Sequence, residues 1–112
     1  ELFEVSSNNS LTTLNAPNLT TTGPMSLRFN RLSSINLDSW TAIDDNNDNV
    51  EITFSSNELD SDTQNYLLSL MANFSPALTN STIVLSQFNG QGPTGQGITD
   101  QAALEANGNT IQ

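Results

Sequence analysis

The stretch VEITFSSNEL, residues 50–59, sets Ile52 and Phe54 on one side of a short strand and follows them with Asn57 and Leu59. The same line stands upstream as MSLRFNRL, with Met25, Leu27, Asn30 and Leu32, and more loosely around Asn8, with Phe3, Val5 and a late Leu11. A fourth copy, TIVLSQFNG, places Ile83 and Leu85 before Asn89 with one residue extra. The asparagines recur at intervals of 22, 27 and 32 residues. Self-similarity on this scale means that one small unit is reused and stacked, because a single copy cannot bury its own apolar face. Each strand must then turn sharply, and the turn leaves backbone N–H and C=O groups that need partners once buried. Asparagine brings both a donor and an acceptor on a short stem, so one asparagine per turn meets that demand.

The line resembles the leucine-rich-repeat pattern L-x-L-x-x-N-x-L. The run from SSNELDSDTQNYLLSLMANF through LTNSTIVLSQFNGQGPTGQGITDQAALEANGNTIQ, residues 55–112, is similar to the last coil and cap of leucine-rich-repeat proteins of bacteria and their phages. Residues 1–54 match only as degenerate repeats, and Asn109 stands where such caps often carry an aromatic. The resemblance implies an α/β fold, a short right-handed solenoid of about four parallel strands with a C-terminal helical cap. Length fits one domain over residues 1–112, and the start at Glu1 with no basic, apolar leader reads as a mature chain or a piece of a longer chain or assembly.

Local signals place the helices. SDTQ, residues 61–64, reads as a capping box with Ser61 as the cap and Gln64 reaching back. Tyr66, Leu67, Leu70, Met71 and Phe74 then share one helical face, and Pro76 prevents continuation much past Ser75. A second helix is expected from Thr99 to a left-handed stop at Asn107-Gly108, and the glycine-rich segment 89–97 is expected to be a loop. NAPNLTTTGP, with two prolines and a glycine, reads as extended or turn-like. Trp40 is expected to cover the core.

Composition removes whole classes of chemistry. The chain has 112 residues, twelve carboxylates, two arginines and no lysine or histidine, for a net charge of −10. Such a surface repels nucleic-acid phosphates and anionic lipid heads, and no apolar run is long enough to span a membrane. With no histidine, cysteine or lysine, nucleophilic triads have no base and thiolate metal sites no ligand. Glu4 and Glu51 face outward on their strands, but two strand spacings would set them about 10 Å apart, with nothing to split their roles. The expectation is therefore a chain that is not an enzyme and has no cofactor. In DDNNDN, Asp44, Asn46 and Asp48 have the oxygen spacing that opens a calcium loop. Asn49 replaces its glycine and Ser55 its final glutamate, so the segment reads first as a solvated acidic turn, with calcium as the alternative.

The outward face of the strands is left as the candidate site. Ser26, Arg28, Glu51, Thr53 and Ser86 form rows across it, and stacked repeats commonly bind across such a face. Arg28 would either hold a partner's carboxylate or pair with Glu4 or Glu51. No N-terminal cap is visible, so Leu2, Phe3 and Val5 are expected to form an assembly surface for a preceding domain, another chain or a second copy. The functional expectation is a non-catalytic recognition or adhesion module on a cell or virion surface, such as a phage tail-fibre or adhesin tip. Its partner would be a host glycan or protein. The alternative is a structural cap or spacer of an extracellular or virion assembly. A surface that is polar through Ser, Thr, Asn and Gln rather than charge suits an extracellular setting.

Overall fold

The computed structural model describes residues 2–43 and 47–112. The strands are β1 (Phe3–Glu4), β2 (Thr13–Asn15), β3 (Thr21–Thr22), β4 (Met25–Ser26), β5 (Ser34–Asn36), β6 (Ala42–Ile43), β7 (Glu51–Thr53), β8 (Thr82–Val84) and β9 (Thr110–Ile111). The helices are α1 (Ser61–Ala72) and α2 (Gln96–Ala106). β1, β4, β7, β8 and β9 make a five-stranded sheet in that order, with every pairing parallel. β2 pairs with β5, and β3 with β6, as two further two-stranded parallel sheets.

This architecture corrects the expected leucine-rich-repeat solenoid of about four strands. Residues 13–22, most of them in the stretch that read as extended or turn-like, pair through their backbone with residues 34–43: Ala16 N–H donates to Asn36 O at 2.8 Å and Thr41 N–H to Thr20 O at 2.9 Å. Thr110–Ile111 adds a fifth strand to the main sheet. The result is a small compact α/β unit with a radius of gyration of 12.7 Å, close to the roughly 13 Å of a globular chain of this length.

The asparagine argument holds at the level of single bonds. Asn57 is fully buried; its Oδ1 accepts from Leu32 N–H at 3.1 Å, and its Nδ2 donates to Leu27 O at 2.8 Å and Phe54 O at 2.9 Å. Asn30 Oδ1 accepts from Asn8 N–H, and its Nδ2 donates to Val5 O and Leu27 O. The fourth copy differs. The extra residue pushes Asn89 outward, and the longer Gln87 takes the inner place, accepting from Leu59 N–H and donating to Phe54 O. Asn109, the departure noted in the sequence, is buried and plays the same part, accepting from Ser81 N–H and donating to Leu78 O and Leu104 O.

The core runs through Met25, Leu27, Ile52, Phe54, Ile83 and Leu85 beneath the main sheet. Trp40 is 1% exposed, meets Phe74 edge-on at 4.8 Å and Phe54 at 6.3 Å, and donates from Nε1 to Thr22 Oγ1 at 3.1 Å. α1 starts one residue earlier than its sequence suggested, with Asp60 as the cap accepting from Thr63 N–H at 2.8 Å. Gln64 instead turns inward and ties Leu59 O to Gln91 O. Leu67, Leu68 and Met71 are the buried apolar face, whereas Tyr66 and Leu70 are half-buried. α2 begins three residues before Thr99, inside the segment expected to be a loop. Gly97 permits this, since a Cβ there would lie 2.0 Å from Asn65 Oδ1 of α1. The helix ends as expected, with Gly108 at φ +87°.

Candidate functional site

The main sheet's outer face is more closed than its sequence implied. Glu4, Ser26, Thr53 and Val84 stand in one row across β1, β4, β7 and β8. Ser26 is 8% exposed and Thr53 5% exposed, and Thr53 Oγ1 is hydrogen-bonded to Ser55 Oγ at 2.9 Å. These two hydroxyls offer little to a ligand. Glu51 is exposed but lies two residues before Thr53, toward the opposite end of the strand. Arg28 and Ser86 are exposed just past the carboxyl ends of β4 and β8. Among the described residues Arg28 makes no ion pair with Glu4 or Glu51; its guanidinium lies over the Phe29 ring, 5.7 Å from the centroid.

That edge of the sheet holds a notch of about 540 Å³ lined by Asn9, Phe29, Asn30, Arg31, Glu58 and Phe88. Its walls are aromatic: Phe29 is 47% exposed and Phe88 is 68% exposed. The two enter on either side of one strand, since Phe29 N–H donates to Ser55 O and Phe88 N–H to Asn57 O. Their backbones are therefore about two strand spacings, or 10 Å, apart.

The backbone that presents Phe29 is unusual. Ser7, Phe29 and Ser56 each precede the asparagine of their copy, and each is left-handed, with φ of 57°, 61° and 58°. The bend requires that conformation, and two copies fill the position with serine. A bulky side chain at positive φ is a genuine outlier, of order 1–3 kcal/mol, and such residues cluster at ligand sites. Asn30 lies at the floor with its amide bonded to Asn8, Val5 and Leu27. Arg31 and Glu58 form an exposed ion pair at 4.0 Å on the rim.

Of the candidate binding residues read from the sequence none lines this notch; Arg28 stands beside it against Phe29, and the ladder residue Asn30 forms its floor. Ser86 lines a separate cavity of about 210 Å³ with Gln64, Gln91, Pro93 and Gln112. Phe29, Phe88, Asn9, Arg31 and Glu58 were missed, although a partial signal existed: the dipeptide Phe-Asn occurs twice, at 29–30 and 88–89, if not at the same place in the bend. At the N-terminal end, Leu2 is 58% exposed, while Phe3 and Val5 are half-buried with Leu11, Leu14 and Leu19.

In the calcium segment, Asp44 and Asn46 lie outside the described residues. Asp48 accepts from Thr79 Oγ1 at 2.7 Å and Asn80 Nδ2 at 3.0 Å, and these bonds hold its carboxyl below the usual carboxylate range. Among the described residues no three Asp, Glu, His or Cys side chains converge as a metal cage, and no helix is long and apolar enough to cross a membrane.

Comparison with protein-family models, with curated proteins and with solved structures finds no match to this chain.

Proposed function

We propose that this chain is a non-catalytic recognition module, displayed outside a cell or on a virion, whose ligand seats in the notch at the carboxyl ends of the parallel strands. One observation carries the reading: Phe29 and Phe88 stand in water on opposite walls of one cavity, and Phe29 does so at a left-handed backbone position that its counterparts fill with serine. Exposed aromatic anchors around a concavity are what binding energy concentrates on. Ligands of parallel α/β sheets also gather at the carboxyl ends of strands. A chain with no imidazole, thiol or lysine amine puts little at the notch that could attack or activate a bound group. The test is binding of the full chain to arrayed glycans and surface proteins, with Phe29→Ala/Phe88→Ala as the probe. Both side chains are exposed, so the variant keeps its unfolding midpoint; binding that survives in it refutes this site.

A second reading, a structural cap or spacer, draws on the other end of the molecule. β1, β2 and β3 each pair on one side only, and the half-buried Phe3, Val5, Leu11, Leu14 and Leu19 lie beside those free edges. An unpaired strand edge is a template for another chain. Light scattering separates the readings: a stable oligomer dispersed by Phe3→Ser/Val5→Ser, with the notch variants still assembled, favours the structural one.

A further inference from the structure

Both cations of this strongly acidic chain stand at the same place. Arg31 lines the notch and Arg28 leans over the Phe29 ring that forms its wall, while eleven of the twelve carboxylates and no lysine or arginine belong to the rest of the chain. Among the described residues that line the notch one is a carboxylate, Glu58, and it pairs with Arg31. The local balance is positive in a molecule whose net charge is −10, and those carboxylates that lie farther off than a Debye length of about 8–10 Å are largely screened from it.

Three features narrow the ligand. The aromatic walls favour a ring with an apolar face, and the exposed Asn9 amide, which can both donate and accept, favours hydroxyls. The two guanidinium groups favour a carboxylate, which arginine can grip with paired donors. The sheet itself argues against an extended peptide, because β4, β7 and β8 are each paired on both sides and offer no backbone edge for strand addition.

Resting on the recognition reading above, we propose that the notch binds a carboxylate-bearing saccharide, of the uronic- or sialic-acid kind, with a sugar ring between Phe29 and Phe88 and the carboxylate on the arginine side. Glu58 releases Arg31 in part as the ligand arrives. The ion pair is long at 4.0 Å and both side chains are open to water, at 63% and 49%, so its exchange for a bound carboxylate costs little.

The test uses the full chain against three matched probe sets: oligosaccharides ending in glucuronate or sialate, the same oligosaccharides as methyl esters, and peptides rich in Asp and Glu. The expected result is binding to the free acids that weakens with added salt and falls by about tenfold or more in Arg31→Gln and in Phe88→Ala, the scale of losing one charged contact or one buried ring face. Arg31→Gln also erases the preference for acid over ester, which a purely structural role for Arg31 would leave intact. Equal affinity for acid and ester overturns the carboxylate assignment and leaves the recognition reading standing. Binding to acidic peptides alone overturns the saccharide assignment and likewise leaves recognition standing. If no glycan or peptide binds, and the chain's attachment to cells is unchanged by Phe29→Ala/Phe88→Ala, both the assignment and the recognition reading fall.

Discussion

Replacing Asn57 by alanine isolates what the buried asparagines contribute. The Asn57 Oδ1 is the acceptor for the buried Leu32 N–H, and no other partner stands there among the described residues, so alanine orphans one buried donor at about 1–3 kcal/mol. The Nδ2 donates to Leu27 O, Phe54 O and Ser55 O. Each of those carbonyls keeps another donor, from Asn30, Gln87 and the Phe29 N–H respectively. Their loss is therefore one of optimisation, together about 1 kcal/mol. The expected total is about 2–4 kcal/mol, against a typical domain stability of about 5–15 kcal/mol. Asn8→Ala is the matched control: its Oδ1 accepts only from the exposed Ser10 N–H, and about 0.5 kcal/mol is expected. Urea unfolding followed by the fluorescence of Trp40, the single tryptophan and 1% exposed, reads both, with a stabilising osmolyte where a variant is unfolded in buffer. Asn57→Asp keeps the acceptor and loses the donors, so it should be destabilised at neutral pH and recover as acid protonates the buried carboxyl. A cost below about 1 kcal/mol for Asn57→Ala, or one equal to that of Asn8→Ala, would refute the reasoning that the bend depends on this amide.

Two further expectations follow from the helices. Tyr66, the single tyrosine, has its hydroxyl pushed up to about 12 by burial and by donation to Asp38, partly offset by accepting from Leu37 N–H. Because the folded value is raised, this stabilisation is present below the unfolded value near 10 and lost as pH rises through about 12; an ultraviolet titration showing tyrosinate near pH 10 in the folded chain would contradict it. Gly97→Ala forces its methyl against Asn65, which must give up its bonds to the Thr94 N–H and hydroxyl. It should cost about 1–3 kcal/mol by overpacking, read as a lowered urea midpoint, whereas Gly92→Ala, with nothing within 4 Å, should be close to neutral.

Local chemistry carried much of the fold in the sequence. The apolar pairs Met25/Leu27, Ile52/Phe54 and Ile83/Leu85 point inward as their alternation requires and Gly108 ends the second helix, because each rests on neighbours a few residues away; Asn30 and Asn57 satisfy their own bends locally and the neighbouring copy's as well, which the repeat of the motif already implied. The architecture did not follow from those signals. Which backbone pairs with residues 13–22 is a contact between segments about twenty residues apart, and that pairing turns an expected four-strand solenoid into a compact unit with three parallel sheets. Gly97 shows the same limit: glycine reads as loop until the approach of Asn65 makes it the residue that lets two helices touch. The notch is the furthest case. Asn9, Phe29, Arg31, Glu58 and Phe88 are spread over some eighty residues of chain, and the recurring Phe-Asn pair was their only trace. The sequence determined which side chains turn inward, since that depends on local period. Tertiary structure alone decided that two exposed phenylalanines and both cations meet at one edge, since that depends on strand register.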